Sequence, residues 1–183
     1  MMKRLRSRRP DRSEYCSDYQ KDLIDLVEGD DVLPVLEQQQ FWICELVSHL
    51  SVEQIDKLHS PYTWTIRQVF EHLVDAERVF GYRILRGAAG DTTPLSSWDE
   101  DAYADSRFGL GNFTTIVGEL TSQRDANHKL LQRLIPPCWD RQVTVDGVPI
   151  TVRAMAWLCA GHIHHHLLIV EKRCKVQVPR TPK

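Results

Sequence analysis

Three histidines on the core-facing stripes of two predicted helices constrain this chain more than any other feature. His72 lies inside one helical run, while His162 and His166 are four residues apart in the run AGHIHHHLLI near the C-terminus. Residues i and i+4 are neighbours on one face of an α-helix. Two imidazoles in this relation can bind one divalent metal together with a third from a facing helix. Three protein ligands leave a coordination position open, which is typical of a reactive metal rather than a purely structural one.

The stripes that carry these histidines are otherwise apolar, which leaves two readings open. The stripe of the last helix consists of Met155, Cys159, His162, His166, Ile169 and Val170. Around His72 the stripe continues through Ala76, whose small side chain leaves room for a metal and its ligands. One buried histidine is commonplace, because protein groups can hydrogen-bond both ring nitrogens. Three buried together need a shared partner, and a divalent cation satisfies all three.

Apolar residues recur at helical spacing through most of the chain. Thr65 followed by Gln68 indicates a capping box, and Asp146-Gly147 between β-branched residues indicates a hairpin. A short first helix is predicted to end near Gly29. Four longer helices are predicted over 32–50, from Thr65 to between Gly87 and Gly90, over 113–135, and from 151–153 to about 172. A hairpin is predicted over 141–152, before the last helix. The pattern predicts an all-α four-helix bundle with short extra helices and a small β-hairpin before the last helix.

Composition predicts one globular domain. The 183 residues are 42% hydrophobic and 26% charged, which suits a single domain with a sizeable core. We expect a disordered basic tail over 1–13, one helical domain over 14–175 and a frayed tail over 176–183. The net charge of −2 gives no reason to expect a nucleic-acid partner. The arginine-rich run at 3–9 is the one segment that could contact a polyanion.

The cysteines and the hydropathy pattern together predict where in the cell the protein is located. The five cysteines are odd in number and form no Cys-x-x-Cys pair, as is typical of reduced thiols in an intracellular protein. No run approaches the ~20 apolar residues of a membrane helix. No apolar segment follows the N-terminal charges, so we predict no secretory signal. The expectation is a cytoplasmic protein with no membrane partner.

Two separated segments carry a family resemblance. The run WTIRQVFEHLVDAER at 64–78, followed by GHIHHH at 161–166, resembles the DinB-like (YfiT-like) superfamily of metal-dependent enzymes. Tyr62, the WDED loop at 98–101 and the TVR entry to the last helix at 151–153 extend the match. It covers about residues 30 to 175. Each motif is short, but their order and separation are specific together.

The resemblance implies a four-helix bundle whose metal is held by His72, His162 and His166. It implies nickel or zinc as the ion, with iron or manganese as alternatives, and a small-molecule substrate. Relatives include thiol-dependent transferases and isomerases, so a low-molecular-weight thiol is an implied partner, and on family grounds thiol S-transfer is slightly favoured over hydrolysis. Because a metal can activate either a thiol or water, the ligands do not separate the two reactions.

Several neighbours of the histidines are candidates for supporting them. Glu71, Asp75 or Glu77 could accept the second ring N–H of a ligand histidine, although only one of them could do so. The alternative for these carboxylates is the surface, where Glu77 would pair with Arg78 or Arg83. His165 is the other candidate for orienting a ligand histidine, and its alternative is a position at the surface.

Cys159 lies one turn before His162 on the same face. Its thiolate could be a fourth ligand or a nucleophile, but a buried structural thiol is the favoured interpretation. Trp98 and Asp99 either border the mouth of the site or serve as an apolar contact and a helix cap. We expect Trp64 in the core and His128 on an exposed face without a role.

The leading hypothesis is a metal-dependent enzyme, in which activated water or thiolate, rather than a named side chain, is the nucleophile. A different class is a non-enzymatic metal-binding or stress-related helical protein that forms a dimer. Bundles of this size often form homodimers, which one sequence leaves undecided. The third class is nucleic-acid binding through the N-terminal arginines, which salt would weaken steeply.

Overall fold

The computed structural model describes residues 5–106 and 111–180. Its helices and strands are, in chain order, α1 (Asp18–Asp25), α2 (Val32–Ser48), α3 (Val52–Asp56), α4 (Ile66–Ala89), α5 (Glu100–Ser106), α6 (Phe113–Gln132), α7 (Pro136–Trp139), β1 (Gln142–Val145), β2 (Val148–Thr151) and α8 (Val152–Cys174), with a 3-10 turn at Arg12–Glu14 before α1. None of the helices in these two ranges combines the length and the apolar character that a bilayer crossing requires.

Helices α2, α4, α6 and α8 form a four-helix bundle. Helix α4 packs against α6 and α8, and α2 packs against the same two helices. The two histidine-bearing helices, α4 and α8, are therefore neighbours. Helix α1 covers α8 from outside, and the β1–β2 hairpin packs against α4 and α8. The predicted fold class, a bundle with short extra helices and a hairpin before the last helix, is confirmed.

The apolar core consists of two clusters that meet on α8. One surrounds Trp139 and Trp157 and includes α8 residues as far as Ala160. The other surrounds Phe70 and includes α8 residues from Ile163 onward. His162 lies between these two stretches of α8, so the histidine site is at the junction of the two clusters.

Local signals fix where the bundle helices begin. The Thr65 hydroxyl accepts a hydrogen bond from the Gln68 backbone at 3.2 Å, and the Gln68 side chain accepts one from the Thr65 backbone at 3.0 Å. Thr151 caps α8 through the Ala154 backbone N–H. At the hairpin, Asp146 and Gly147 both have positive φ, as a two-residue type I′ turn requires. The predicted helix starts and the hairpin are confirmed.

Some elements differ from the prediction, beginning with α1, which ends at Asp25 rather than near Gly29. Helix α6 ends at Gln132 rather than 135, and Pro136 begins the separate short helix α7, because proline suits a first helical turn but not a helix interior. The predicted loop after α4 contains the seven-residue helix α5. Asp99 caps it by accepting a hydrogen bond from the Ala102 backbone at 3.0 Å, so the helix-cap alternative for Asp99 is correct.

The N-terminal segment differs from the predicted disordered tail over residues 5–13. Arg6 donates to the carbonyl of Leu134 at 2.6 Å, beyond the end of α6, and Arg9 donates to the carbonyl of Ile24 near the end of α1. Both arginines donate to carbonyl groups at or just beyond the C-terminal ends of helices, where cationic side chains are favourable. The Arg9 guanidinium also stacks on Trp157 at 4.5 Å. The described arginines of this run are therefore engaged with the bundle, and residues 1–4 lie outside the described part.

The C-terminal segment differs in the same way over residues 176–180. Val178 is buried, and its backbone donates to Glu171 Oε1 at 2.9 Å. Arg180 forms an ion pair with Glu171 Oε2 at 2.8 Å. One carboxylate of α8 thus holds the segment that the sequence predicted to fray, while residues 181–183 lie outside the described part.

His128 was expected on an exposed face, and that expectation is wrong. The residue is 5% exposed on α6. Burial lowers the pKa of its imidazole. It is therefore an ordinary core histidine on a helix that does not carry the candidate ligands.

Gly161 permits the close approach of α1 to α8 directly beside His162. A Cβ at this position would lie 2.1 Å from the backbone carbonyl oxygen of Leu23. A backbone atom cannot rotate away as a flexible side chain can, so either α1 or α8 would have to shift. Glycine therefore sets the position of the helix segment that carries His162.

We predict that Gly161→Ala lowers the free energy of unfolding by about 2 kcal/mol or more, because it overpacks the α1–α8 contact. The matched control is Gly118→Ala on α6, where a Cβ would meet nothing within 4 Å. That change should raise the free energy of unfolding by about 0.5–1 kcal/mol, since alanine is the better helix former. Urea denaturation measures both, and equal effects would contradict the proposed close contact.

Candidate metal centre

The structure brings the three predicted histidines together through their Nε2 atoms. Helix α4 places the Nε2 of His72 3.0 Å from that of His162, and the Nε2 of His166 is 3.2 Å from His162 on the same helix α8. All three nitrogens lie within 4.8 Å of one another. Nitrogens bound at about 2.0–2.1 Å around a tetrahedral ion are about 3.3 Å apart. The spacing is therefore that of ligands around one ion.

Burial keeps the three imidazoles neutral. It lowers the pKa of His72 to about 4. Burial also holds the pKa of His162 and His166 well below the ordinary range, and the neighbouring imidazoles add to the shift. Because a metal ligand must be unprotonated, all three rings are ready to donate a lone pair at neutral pH.

The hydrogen bonding within the cluster is incomplete without a cation. A neutral imidazole has one donor and one acceptor nitrogen. The Nδ1 atoms of His72 and His166 are buried and have no hydrogen-bond partner among the described residues, while the Nε2 atoms face one another. Whichever nitrogen carries the proton, some buried donor or acceptor is left unpaired, which costs about 1–3 kcal/mol per group. A divalent ion that accepts the Nε2 lone pairs removes the conflict among them, so the residues present fit a metal.

Aromatic side chains hold the histidine rings in place. Trp98 stacks on His72 with ring centroids 5.6 Å apart and planes 1° from parallel. Trp64 contacts the same imidazole at 5.1 Å, so it packs as a partly buried core residue in direct contact with the centre. Phe80 meets His162 edge-on at 5.7 Å. These contacts restrict ring rotation and so keep the three nitrogens convergent.

A cavity of about 330 Å³ leads to the centre. His162 forms part of its lining, together with Ala76, Phe80 and Trp98. Its volume is at the lower end of the range of about 300–1,000 Å³ that small-molecule sites occupy. Ala76, one turn beyond His72, leaves space as the sequence predicted. A small molecule can therefore reach the histidine cluster along a mostly apolar path.

The carboxylates nearest to His72 in sequence face away from this cavity. Glu71 and Asp75 line a separate cleft between α4 and α6. Asp75 pairs with Arg78 at 3.2 Å. Since Nδ1 of His72 has no partner among the described residues, the support predicted from Glu71 or Asp75 is not formed in this structure.

Of the two alternatives for Glu77, support of a ligand histidine or a surface position beside Arg78 or Arg83, the surface position is wrong. It is 1% exposed and forms an ion pair with Arg124 of α6 at 2.7 Å. Asn127 Nδ2 donates to the second carboxylate oxygen of Glu77 at 2.9 Å. Arg124 was not among the predicted site residues, although its spacing of four residues from the buried Leu120 indicates an inward position on α6.

Cys159 belongs to this buried network rather than to the histidine cluster. Its Sγ donates to Glu77 Oε1 at 3.2 Å. Burial and the Glu77 carboxylate raise the pKa of the thiol well above its ordinary value, despite the opposing effect of Arg124. A protonated thiol is neither a nucleophile nor a good metal ligand. Over residues 5–106 and 111–180, no cysteine or carboxylate joins the three histidines as a ligand, so a coordination position stays open.

The two remaining histidines of α8 flank the cluster without joining it. His165 packs edge-on against His166 with centroids 5.1 Å apart. His164 faces Trp42 at 5.9 Å on another side of the helix. His165 can therefore support the orientation of His166 by packing, whereas His164 contributes nothing to the centre.

Comparisons with known proteins agree with this description. A model of the DinB superfamily matches residues 36–170. A protein of Oceanobacillus iheyensis with the name "Putative metal-dependent hydrolase" is 26% identical over 134 residues, which cover 70% of this chain and 76% of that protein. The solved structure of YfiT from Bacillus subtilis, described as a "probable metal-dependent hydrolase with an unusual four-helix bundle topology", has a TM-score of 0.71 at 20% identity, covering 92% of this chain and 94% of that one.

We predict that His72→Ala, His162→Ala and His166→Ala each reduce bound transition metal from about one ion per chain to almost none, because two nitrogen ligands do not hold an ion against dilution. Elemental mass spectrometry of the untagged protein measures the metal, and circular dichroism should show unchanged helical content. His49→Ala, at the exposed end of α2, is the control and should keep its metal. A variant that binds metal like the parent would exclude that residue as a ligand.

Thiol labelling tests the environment of Cys159. In the folded protein, iodoacetamide should modify Cys16 and Cys44, the two exposed thiols, and leave the three buried ones, Cys159 included, unmodified. In guanidinium chloride all five should react. Peptide mass spectrometry identifies the sites, and rapid modification of Cys159 in the native state would show that its thiol is accessible and reactive.

Proposed function

This chain belongs to the DinB superfamily, and we propose that it is a metal-dependent hydrolase whose divalent ion is held by the Nε2 atoms of His72, His162 and His166. The observation that carries the proposal is the convergence of these three Nε2 atoms, on two buried residues and one partly buried residue, beside a cavity that His162 lines. The names of the two relatives support hydrolysis as the reaction class.

The residues of the chain prepare the site for this reaction in two ways. Neutral, buried imidazoles offer their lone pairs without first losing a proton, and the indole ring of Trp98 fixes the orientation of His72. A divalent ion bound there supplies Lewis-acid activation of water and of a scissile carbonyl group. The apolar lining around His162 excludes bulk water, which strengthens electrostatic interactions inside the cavity.

The chemistry of the three ligands indicates which metal ions suit the site. Three imidazole nitrogens with no carboxylate suit zinc, nickel and iron better than magnesium or calcium, which prefer oxygen ligands. We therefore retain nickel or zinc as the expected ion, with iron or manganese as alternatives. The cytoplasmic location and a homodimer stay predictions.

Thiol S-transfer uses the same three histidines and stays the alternative reaction. A low-molecular-weight thiol would take the open position in place of water. Among the described residues, no contact favours a thiol over water or water over a thiol, and hydrolysis is proposed because the names of the relatives support it. A purely structural metal site is disfavoured because no fourth ligand from the part of the chain that the structure describes closes it, and because a cavity reaches it.

We predict metal-dependent turnover of small esters or amides. The experiment strips the protein with a chelator, reloads it separately with zinc, nickel, manganese or iron, and assays a panel of nitrophenyl esters, anilides and lactones. At least one ion should restore hydrolysis, and His162→Ala should lower kcat/KM by about 100-fold or more. His49→Ala should match the parent.

The same preparations are assayed for conjugation of glutathione, cysteine and related thiols to 1-chloro-2,4-dinitrobenzene. Metal-dependent conjugation without hydrolysis would assign the S-transfer reaction instead. Hydrolysis that persists unchanged after metal removal would contradict the proposed mechanism.

A further inference from the structure

Arg83 lines the cavity on the same stripe of α4 as His72. The stripe runs through Ala76, Val79 and Phe80, which follow His72 at helical spacing and also line the cavity. Eleven residues separate His72 from Arg83, which is about 16 Å along the helix axis. The cavity therefore extends from the metal centre towards a guanidinium group on the same helix.

The charge of Arg83 has no carboxylate partner among the described residues. Its Nη2 donates to the backbone carbonyl of Ser96 at 3.1 Å. By contrast, the neighbouring Arg78 pairs with Asp75, and Arg86 pairs with Asp91. Glu100 lines the same cavity, but no ion pair joins it to Arg83.

Burial disfavours the charged form of the Arg83 guanidinium, and no carboxylate offsets this effect. Arg83 is half-buried, and desolvation lowers its pKa with no carboxylate acting in the opposite direction. Arginine nevertheless stays charged in proteins. A partly desolvated cation that forms no ion pair is stabilised by an anion that binds directly beside it.

The surface between Arg83 and His162 is mostly apolar, although Gln20 and Glu100 also line the cavity. Val79 and Phe80 of α4 face Met155 and Leu158 of α8 across the cavity. An apolar group bound between them gains about 25 cal/mol per Å² of surface removed from water. The cavity thus offers one cationic end, an apolar middle and a metal end.

We propose that the cavity selects small molecules with an apolar body and a carboxylate at one end, with Arg83 binding the carboxylate. The planar guanidinium can donate hydrogen bonds to both carboxylate oxygens in a bidentate pair. This substrate class rests on the proposed hydrolase function for its reaction, in which the scissile ester or amide bond lies near His162, several bonds away from the carboxylate. The binding itself does not depend on that function.

The test uses the metal-free protein, so that the carboxylate cannot bind a metal ion. Isothermal titration calorimetry at pH 7.5 measures the affinity for 4-phenylbutyrate and for its neutral analogue 4-phenylbutanamide. The wild-type protein should bind the carboxylate about tenfold more tightly than the amide. In Arg83→Gln the ratio should fall to about one, while the affinity for the amide stays unchanged.

Two further variants separate anion binding from a structural effect. Arg133→Gln removes the same charge from an exposed position outside the cavity and should keep the tenfold preference. Arg83→Lys should restore part of the preference, because it restores the charge without the bidentate geometry.

Equal affinity of the wild type for both probes, no binding of either probe, or a preference that survives in Arg83→Gln would overturn the proposal. The outcome of the hydrolase assay does not depend on the outcome of this binding experiment. Preferential binding of the carboxylate by a protein that hydrolyses nothing with any metal would contradict the hydrolase function and leave the anion site intact. Hydrolysis that is indifferent to a substrate carboxylate would contradict the anion site alone.

Discussion

The packing of α4 against α8 is the contact on which the rest of this structure depends, because it buries three neutral imidazoles with their Nε2 atoms facing one another. Such an arrangement is costly unless a cation accepts the lone pairs. Two sets of contacts hold the three imidazoles in position. Gly161 lets α1 pack closely against α8 beside His162, and Trp64 and Trp98 contact the ring of His72. Low ligand pKa values, an open coordination position and access from a cavity all follow from this one contact.

A buried ion pair braces the bundle beside the centre. Glu77 of α4 pairs with Arg124 of α6, and Arg124 also donates to the carbonyl of Cys159 on α8 at 3.2 Å. One guanidinium thus connects three of the four bundle helices. Buried pairs are seldom retained for stability alone, since desolvation offsets much of their attraction. Here the pair fixes the relative positions of the helices that carry the ligands, and Glu77 also accepts a hydrogen bond from the thiol of Cys159.

The sequence predicted those features that depend on local spacing. The i, i+4 relation of His162 and His166, the capping box at Thr65 and the Asp146-Gly147 turn each involve residues close in the chain, and each was predicted correctly. The failed predictions for Glu77 and for the N-terminal segment concern partners distant in sequence: Glu77 pairs with a residue on another helix, and Arg6 bonds to a carbonyl 128 residues away. No periodicity within a segment reveals such a partner, because only the packing of helices brings the two groups together.

The most direct test of the central claim is a crystal structure of the metal-loaded protein with anomalous diffraction data collected at the absorption edge of the bound ion. We predict a single strong anomalous peak within about 2.0–2.2 Å of the Nε2 atoms of His72, His162 and His166, with the remaining coordination facing the cavity. A peak bonded to Cys159, a peak that touches fewer than three of these histidines, or no peak between α4 and α8 would contradict the account.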